Sequence, residues 1–359
     1  MNFRKLLTLA GLALCAGAAF SLPAQAAEKT KAAFVYVGPI GDHGWSYQHH
    51  QGLKAVQEAF GDKVETTFVE SVSEGPDAER VIRQLAQNGN DIIFTTSFGY
   101  MNPTLKVAKV FPKVKFEHST GFKRSNNVAN YNIRFYEGRY VAGLIAGRMT
   151  KSNTIGYIAS FPIPEVVMGI NAVYLGAKSV NPDIKIKVIW VSTWFDPGKE
   201  ADAAKALRDQ GADILFQHTD SPAAMKMAEQ EGIYAVGQAS DMHTYGPKAQ
   251  LTAIVNNWGP YYVKRVQAVM DGTWETGDVW GGFDSGMLQM ADWHNSVPAD
   301  VAAEADTARA AIAAGTFHPF TGPLKKQDGS AFLAAGEVVK DGDLAGMNFY
   351  VEGITGNLP

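Results

Sequence analysis

Two stretches of this chain repeat one another at an offset of about 122 residues. Leu85, Gly89, Asp91, Ile92 and Phe94 recur as Leu207, Gly211, Asp213, Ile214 and Phe216 at the same spacing. Upstream, Glu74–Glu79 (EGPDAE) corresponds to Asp196–Ala201 (DPGKEA), and the strand-like run ending at Tyr36 to one ending at Tyr157. Each half therefore reads as a βαβα unit, with a buried strand, a helix stopped by glycine and a further strand. Two similar α/β lobes enclose a cleft, and a cleft between lobes is where ligands bind.

Apolar runs place strands at residues 32–37, 64–70, 91–95, 114–117 and 128–133 of the first half. In the second half they fall at 154–159, 184–191, 213–217, 233–236 and 251–257. Amphipathic segments alternate with them, which predicts right-handed crossovers and parallel sheets. An apolar, Gly- and Ala-rich helix over 136–149 is expected to bridge the halves. No low-complexity linker separates them, so the hinge is read as several short crossings. The boundaries drawn are 27–147 plus about 256–282 for lobe one, and 148–255 plus about 283–359 for lobe two.

The first 26 residues read as a cleavable export signal. Arg4 and Lys5 precede an apolar run from Leu6 to Phe20 and the small-residue site Ala24-Gln25-Ala26. Leu14, before Cys15, is too large for a lipoprotein signal. Cys15 is the only cysteine and leaves with the signal, which removes disulfides, thiol nucleophiles and Cys-based metal sites. The formal net charge is −4, and losing Arg4 and Lys5 makes the remainder more acidic, so nothing invites nucleic acid. The expected setting is the bacterial periplasm.

In parallel sheets, ligands sit beyond the carboxyl ends of the strands. That rule selects the loops 38–47, 97–100, 160–164, 192–196, 218–220 and 238–242, and the turn at Trp258. Trp45, Tyr47, Phe98, Tyr100, Trp194 and Trp258 offer flat faces, while Asp42, Asp220 and Asp241 accept hydrogen bonds from ligand N–H or O–H groups. Aromatic faces with acceptors favour a planar heterocycle, although sugars also stack on tryptophan. Other readings compete: Asp42 and Asp196 as helix caps, Trp45 as a lid over its own helix, and Trp190, Tyr131 and Trp274 as core. His43, His49 and His50 lack the spacing of a metal site. No nucleophile elbow, Walker loop or dinucleotide fingerprint is present, and catalysis has little support.

The runs Val35–Gly52 (VYVGPIGDHGWSYQHHQG), Phe94–Tyr100 (FTTSFGY), Asn132–Gly143 (NIRFYEGRYVAG), Ser192–Leu207 (STWFDPGKEADAAKAL) and Gly237–Met242 (GQASDM) resemble the basic membrane protein (BMP) family. That family comprises ABC-transporter substrate-binding proteins of the purine-nucleoside-binding type. The resemblance implies a type I periplasmic-binding fold, an α/β architecture of two Rossmann-like lobes joined by a multi-crossing hinge. It implies no enzyme activity and no cofactor. The implied partners are a purine base or nucleoside and the permease and ATPase subunits at the inner membrane, with the receptor working as a monomer. Asp42 is implied to hydrogen-bond the base, Trp45 to stack on it, and Asp241 to grip ribose hydroxyls. Together with the loop reading this gives Asp42, Trp45, Ser46, Tyr47, Ser97, Phe98, Tyr100, Trp194, Phe195, Asp220, Gln238, Asp241 and Trp258 as the expected ligand-binding set. Two departures point to a free base such as adenine rather than a nucleoside. Ser46 stands where the family usually has Asn, and a sugar-holding lysine common after the strand ending Asn256-Asn257-Trp258 is absent. The alternatives are a same-fold receptor for a nucleoside, a sugar or an amino acid, a sensor module, and an exported nucleoside hydrolase.

Overall fold

The structure is a computed structural model that describes residues 29–41 and 43–359. The expected export signal and Asp42 lie outside the described residues. Two six-stranded sheets carry the same strand order. The first contains β1 (Thr30–Val35), β2 (Val64–Val69), β3 (Ile92–Thr95), β4 (Lys115–Ser119), β5 (Val128–Ile133) and β11 (Asp278–Gly281), ordered β2-β1-β3-β4-β5-β11. The second contains β6 (Thr154–Ala159), β7 (Lys185–Trp190), β8 (Ile214–His218), β9 (Tyr234–Ala239), β10 (Gln250–Asn256) and β12 (Leu288–Met290), ordered β7-β6-β8-β9-β10-β12. All pairings are parallel except β10 with β12. The internal repeat is therefore a repeat of sheet topology.

Helices cover both faces of each sheet, so the strands are apolar on both sides. In lobe one, α2 (Pro76–Gln87) and α3 (Met101–Val110) form one layer; α1 (Trp45–Phe60) and α8 (Gly259–Met270) form the other. In lobe two, α6 (Pro197–Asp209) and α7 (Ala223–Glu231) face α4 (Phe135–Met149), α5 (Pro164–Val180) and α9 (Ala299–Ala313) across the sheet. Gly89 and Gly211 end α2 and α6 at φ of +77° and +94°, a conformation that costs glycine nothing.

The helix expected to bridge the halves is α4, and it packs on α5, α9 and β10 of the second sheet rather than on lobe one. Its small residues explain why. A Cβ on Gly143 would lie 2.4 Å from the Val173 carbonyl oxygen, and one on Gly176 would lie 2.0 Å from that of Tyr140. The two backbones touch, which no larger residue permits. The chain crosses between sheets at Arg134, at Asn257–Trp258 and between β11 and β12. Helix α9, the hairpin of β13 (Leu324–Lys325) and β14 (Ala331–Leu333), and the short α10 (Asp341–Ala345) had no signal strong enough to place from sequence. The tail fastens to lobe two where Asn171 bonds to the Phe349 carbonyl and the Val351 amide.

Buried polar groups pin lobe one. Glu117 accepts from Tyr261 Oη, Arg265 Nε and Trp274 Nε1 at 2.5–2.7 Å, which ties β4 to α8. Tyr131 and Trp274 thus belong to the core, as their positions suggested. His118, fully buried on β4, bonds to Thr95 Oγ1 at 3.0 Å, and burial pushes its pKa down to about 3. The unfolded chain therefore binds a proton near pH 6.5 that the folded chain refuses. The stability this contributes is whole above pH 6.5 and is lost as pH falls toward 3. Urea unfolding of wild type and His118→Asn between pH 7 and 4 should show the wild type losing more stability, by up to about 1.4 kcal/mol per pH unit. Parallel pH profiles would contradict this.

Candidate ligand-binding cleft

The carboxyl ends of both sheets face one another, and in each lobe a carboxylate holds the loop after the third strand. Glu74, just before α2, accepts from Ser97 Oγ at 2.5 Å and from the Gly99 amide at 2.9 Å. Glu200, in the first turn of α6, accepts from Ser221 Oγ at 2.7 Å and from the Ser221 and Asp196 amides at 3.1 and 3.0 Å. Each clamp fixes the loop after the third strand of its own sheet. Asp196 is the N-cap of α6, accepting from the Lys199 amide, so the capping reading was the right one. Among the described residues of the cleft loops, His43, Thr120, Ser192 and Ala239 have positive φ without being glycine. Such strain is held only where neighbouring structure over-determines the backbone.

Between the lobes lies a slot lined by Val37, Trp45, Ser97, Phe98 and Thr120 from lobe one and by Ile163, Glu165, Trp194, His218, Asp220 and Gln238 from lobe two. It leaves about 20 Å³ for the centres of water-sized molecules, room for one or two. A wider crevice of about 520 Å³ opens from it past Phe98, Thr120, Ile163 and Glu165. At the far side of that crevice Arg134 makes a bidentate pair with Asp341 at 2.6 and 2.7 Å and lies over the Trp280 ring.

Six of the expected residues come together here: Trp45, Ser97, Phe98, Trp194, Asp220 and Gln238. Trp45 donates its indole N–H to the Thr96 carbonyl at 2.5 Å, which fixes the ring in the wall. The others stand elsewhere. Tyr100 is core, its hydroxyl on the Val72 carbonyl. Trp258 is buried behind Trp45, stacked on His49 at 4.5 Å. Ser46 accepts from the Gly38 amide and shapes the loop; Tyr47 stacks on His43. Phe195 accepts from Thr193 through its carbonyl and does not line the slot. Asp241 is exposed, its carboxylate turned to the His243 amide and to Gln250 Nε2. Asp42 lies outside the described residues.

Glu165 and His218 were not singled out from sequence, although both belong to loops the strand-end rule had selected or adjoin them. Glu165 Oε2 accepts from Asn132 Nδ2 of lobe one at 3.1 Å, and its Oε1 lies 3.4 Å from His218 Nε2. Burial lowers the His218 pKa, and Glu165 works against that shift. The chemistry of the slot is thus three aromatic rings with carboxylate acceptors, an imidazole and a carboxamide.

The lobes also touch directly. Ser240 Oγ donates to the His43 carbonyl. Gly44 meets the backbone of Asp220 so closely that an added Cβ would lie 2.2 Å from the Asp220 carbonyl oxygen. Gly44→Ala should therefore hold the lobes apart: small-angle scattering should show a larger radius of gyration, and ligand affinity should fall by about tenfold or more. Unchanged scattering and affinity would overturn this account of closure.

The model of the Bmp family, described as ABC transporter substrate-binding protein PnrA-like, matches residues 29–314. A protein of Brucella abortus named purine-binding protein is 58% identical over 348 residues, covering 97% of this chain and 99% of its own. One of Haloferax volcanii, provisionally called an ABC transporter glucose-binding protein, is 38% identical over 332 residues, covering 92% and 82%. Among solved structures, an ABC transporter solute-binding protein of Aeropyrum pernix superposes with a TM-score of 0.70 at 18% identity, over 83% of this chain and 93% of that one; it shares the fold. The fold, the cleft and these matches agree, and the chain belongs to the Bmp family of ABC-transporter substrate-binding proteins.

Proposed function

We propose that this protein is an extracytoplasmic receptor that captures a purine base, adenine-like in preference to a nucleoside, and delivers it to a membrane permease and its ATPase. The observation that carries this reading is the aromatic wall of Trp45, Phe98 and Trp194, where the narrow slot opens into the crevice of about 520 Å³ and must widen to admit a ring. Flat apolar faces suit a flat heterocycle, and Glu165 and Asp220 supply acceptors for its N–H groups. The Brucella relative named for purine binding supports the same class. The preference for the base rests on two placements. Asp241, the residue the resemblance assigns to ribose hydroxyls, is exposed, bonds through Oδ1 to His243 and Gln250, and does not line the slot. The sugar-holding lysine that commonly follows this strand in the family is absent after β10, and Trp258 nearby is buried. Binding energy would favour the closed lobes, with no bond made or broken.

The test is calorimetric titration of refolded, ligand-stripped protein with adenine, adenosine and glucose. Adenine should bind most tightly, and adenosine about tenfold or more weakly. Adenosine binding as tightly as adenine would remove the base preference, and a response to glucose alone would overturn the purine reading. Two variants separate wall from core. Trp194→Ala should lose about 1–3 kcal/mol of adenine affinity through lost stacking. Tyr100→Phe should cost about 1 kcal/mol of stability and leave affinity unchanged, because its hydroxyl serves the Val72 carbonyl.

A further inference from the structure

Behind the lobe-two wall of the slot sits a charge with no counter-ion in contact among the described residues. Arg139, on α4, is 1% exposed. Its Nη2 donates to Gln238 Oε1, while Nε and Nη1 have no hydrogen-bond partner among the described residues. No carboxylate of the described residues forms an ion pair with it; Glu165 acts on it only through space. The guanidinium lies 5.5 Å over the Tyr157 ring. Gly169 of α5 packs beside it: a Cβ there would stand 3.1 Å from Tyr157 Oη and at ordinary contact distance, 3.7 Å, from Arg139 Nε and His218 Nδ1.

A buried guanidinium held by a single neutral partner is costly, and an apolar side chain of similar volume is often more stable in such a place. What the charge does can be read from that partner. A glutamine amide can turn either its oxygen or its nitrogen to a ligand. In Gln238 the oxygen is taken by the guanidinium, so Nε2 is the end left for the slot that Gln238 lines. Flipping the amide would put an NH₂ group against a cation, and the low local dielectric makes that prohibitive.

We propose that Arg139 is a positioning and specificity-determining residue, locking the Gln238 carboxamide with its donor toward the ligand, so that the ligand edge meeting Gln238 must carry an acceptor. On the purine reading, on which this inference rests, that acceptor is a ring nitrogen. On the same wall, Glu165 and Asp220 accept from ligand N–H groups, so lobe two reads donor and acceptor positions of the ligand separately.

The test is titration of ligand-stripped wild type, Gln238→Glu and Arg139→Met with adenine and with its 1-, 3- and 7-deaza analogues, alongside the Tm of each ligand-free protein. Gln238→Glu gives the guanidinium a carboxylate and turns an acceptor toward the slot. Its Tm should stay or rise while adenine affinity falls by about tenfold or more. Arg139→Met should keep or raise Tm and frees the amide to flip, so adenine should weaken by about threefold to tenfold. In wild type one deaza analogue should bind clearly worse than the others, and in both variants that discrimination should shrink. Either variant binding adenine within about twofold of wild type, or weakening every analogue equally, would overturn the assignment. Wild type that binds no purine fails at the first titration and overturns the purine reading itself.

Discussion

Everything in the cleft depends on two parallel sheets presenting their carboxyl ends to one another. A parallel strand leaves its ladder at a loop, and sheet bonding cannot hold the loop beyond. Glu74 and Glu200 take over that task, each gripping the loop after the third strand of its own lobe through a serine and backbone amides. The clamps are charge-assisted, which makes them stronger than neutral bonds. Phe98 and Asp220 sit next to the clamped serines, so the walls inherit the rigidity of the clamps.

The slot couples recognition to closure because its residues come from both lobes. Glu165 stands on α5 of lobe two, yet bonds to Asn132 on β5 of lobe one. Gly44 and Asp220 meet backbone to backbone, and Ser240 reaches the His43 carbonyl. A ligand gripped by Phe98 and Trp194 together would favour the approach of the lobes by its differential affinity for that state. The tail beyond the family match adds the Arg134–Asp341 pair at one of the three crossings, with the partners on the hinge and on α10.

Much of this was legible beforehand. Strands β1 to β10 were placed within about three residues because each is an apolar run closed by a turn signal, whereas β11 to β14 were not placed. The strand-end rule chose loops that do line the slot. Within those loops sequence could not tell inward from outward: Ser97 and Phe98 face the cavity, whereas Tyr100, two residues on, enters the core. Asp220 was singled out while His218 of the same loop was not, and Glu165, one residue beyond the selected loop, was not singled out either. The helix over 136–149 was recognised, but its partner was not, since contact with α5 is decided by glycines meeting a distant backbone.

The sequence by itself determined the two βαβα halves, their sheet type, the loops that carry the cleft and the family, because period, turn residues and local runs are short-range properties. Only the tertiary structure decided which aromatic rings became wall and which became core, which carboxylates faced the slot, and which end of Gln238 points into it. Those outcomes depend on contacts between residues far apart in the chain, such as Arg139 with Gln238 and Gly44 with Asp220. No local pattern encodes the direction from which such a partner arrives.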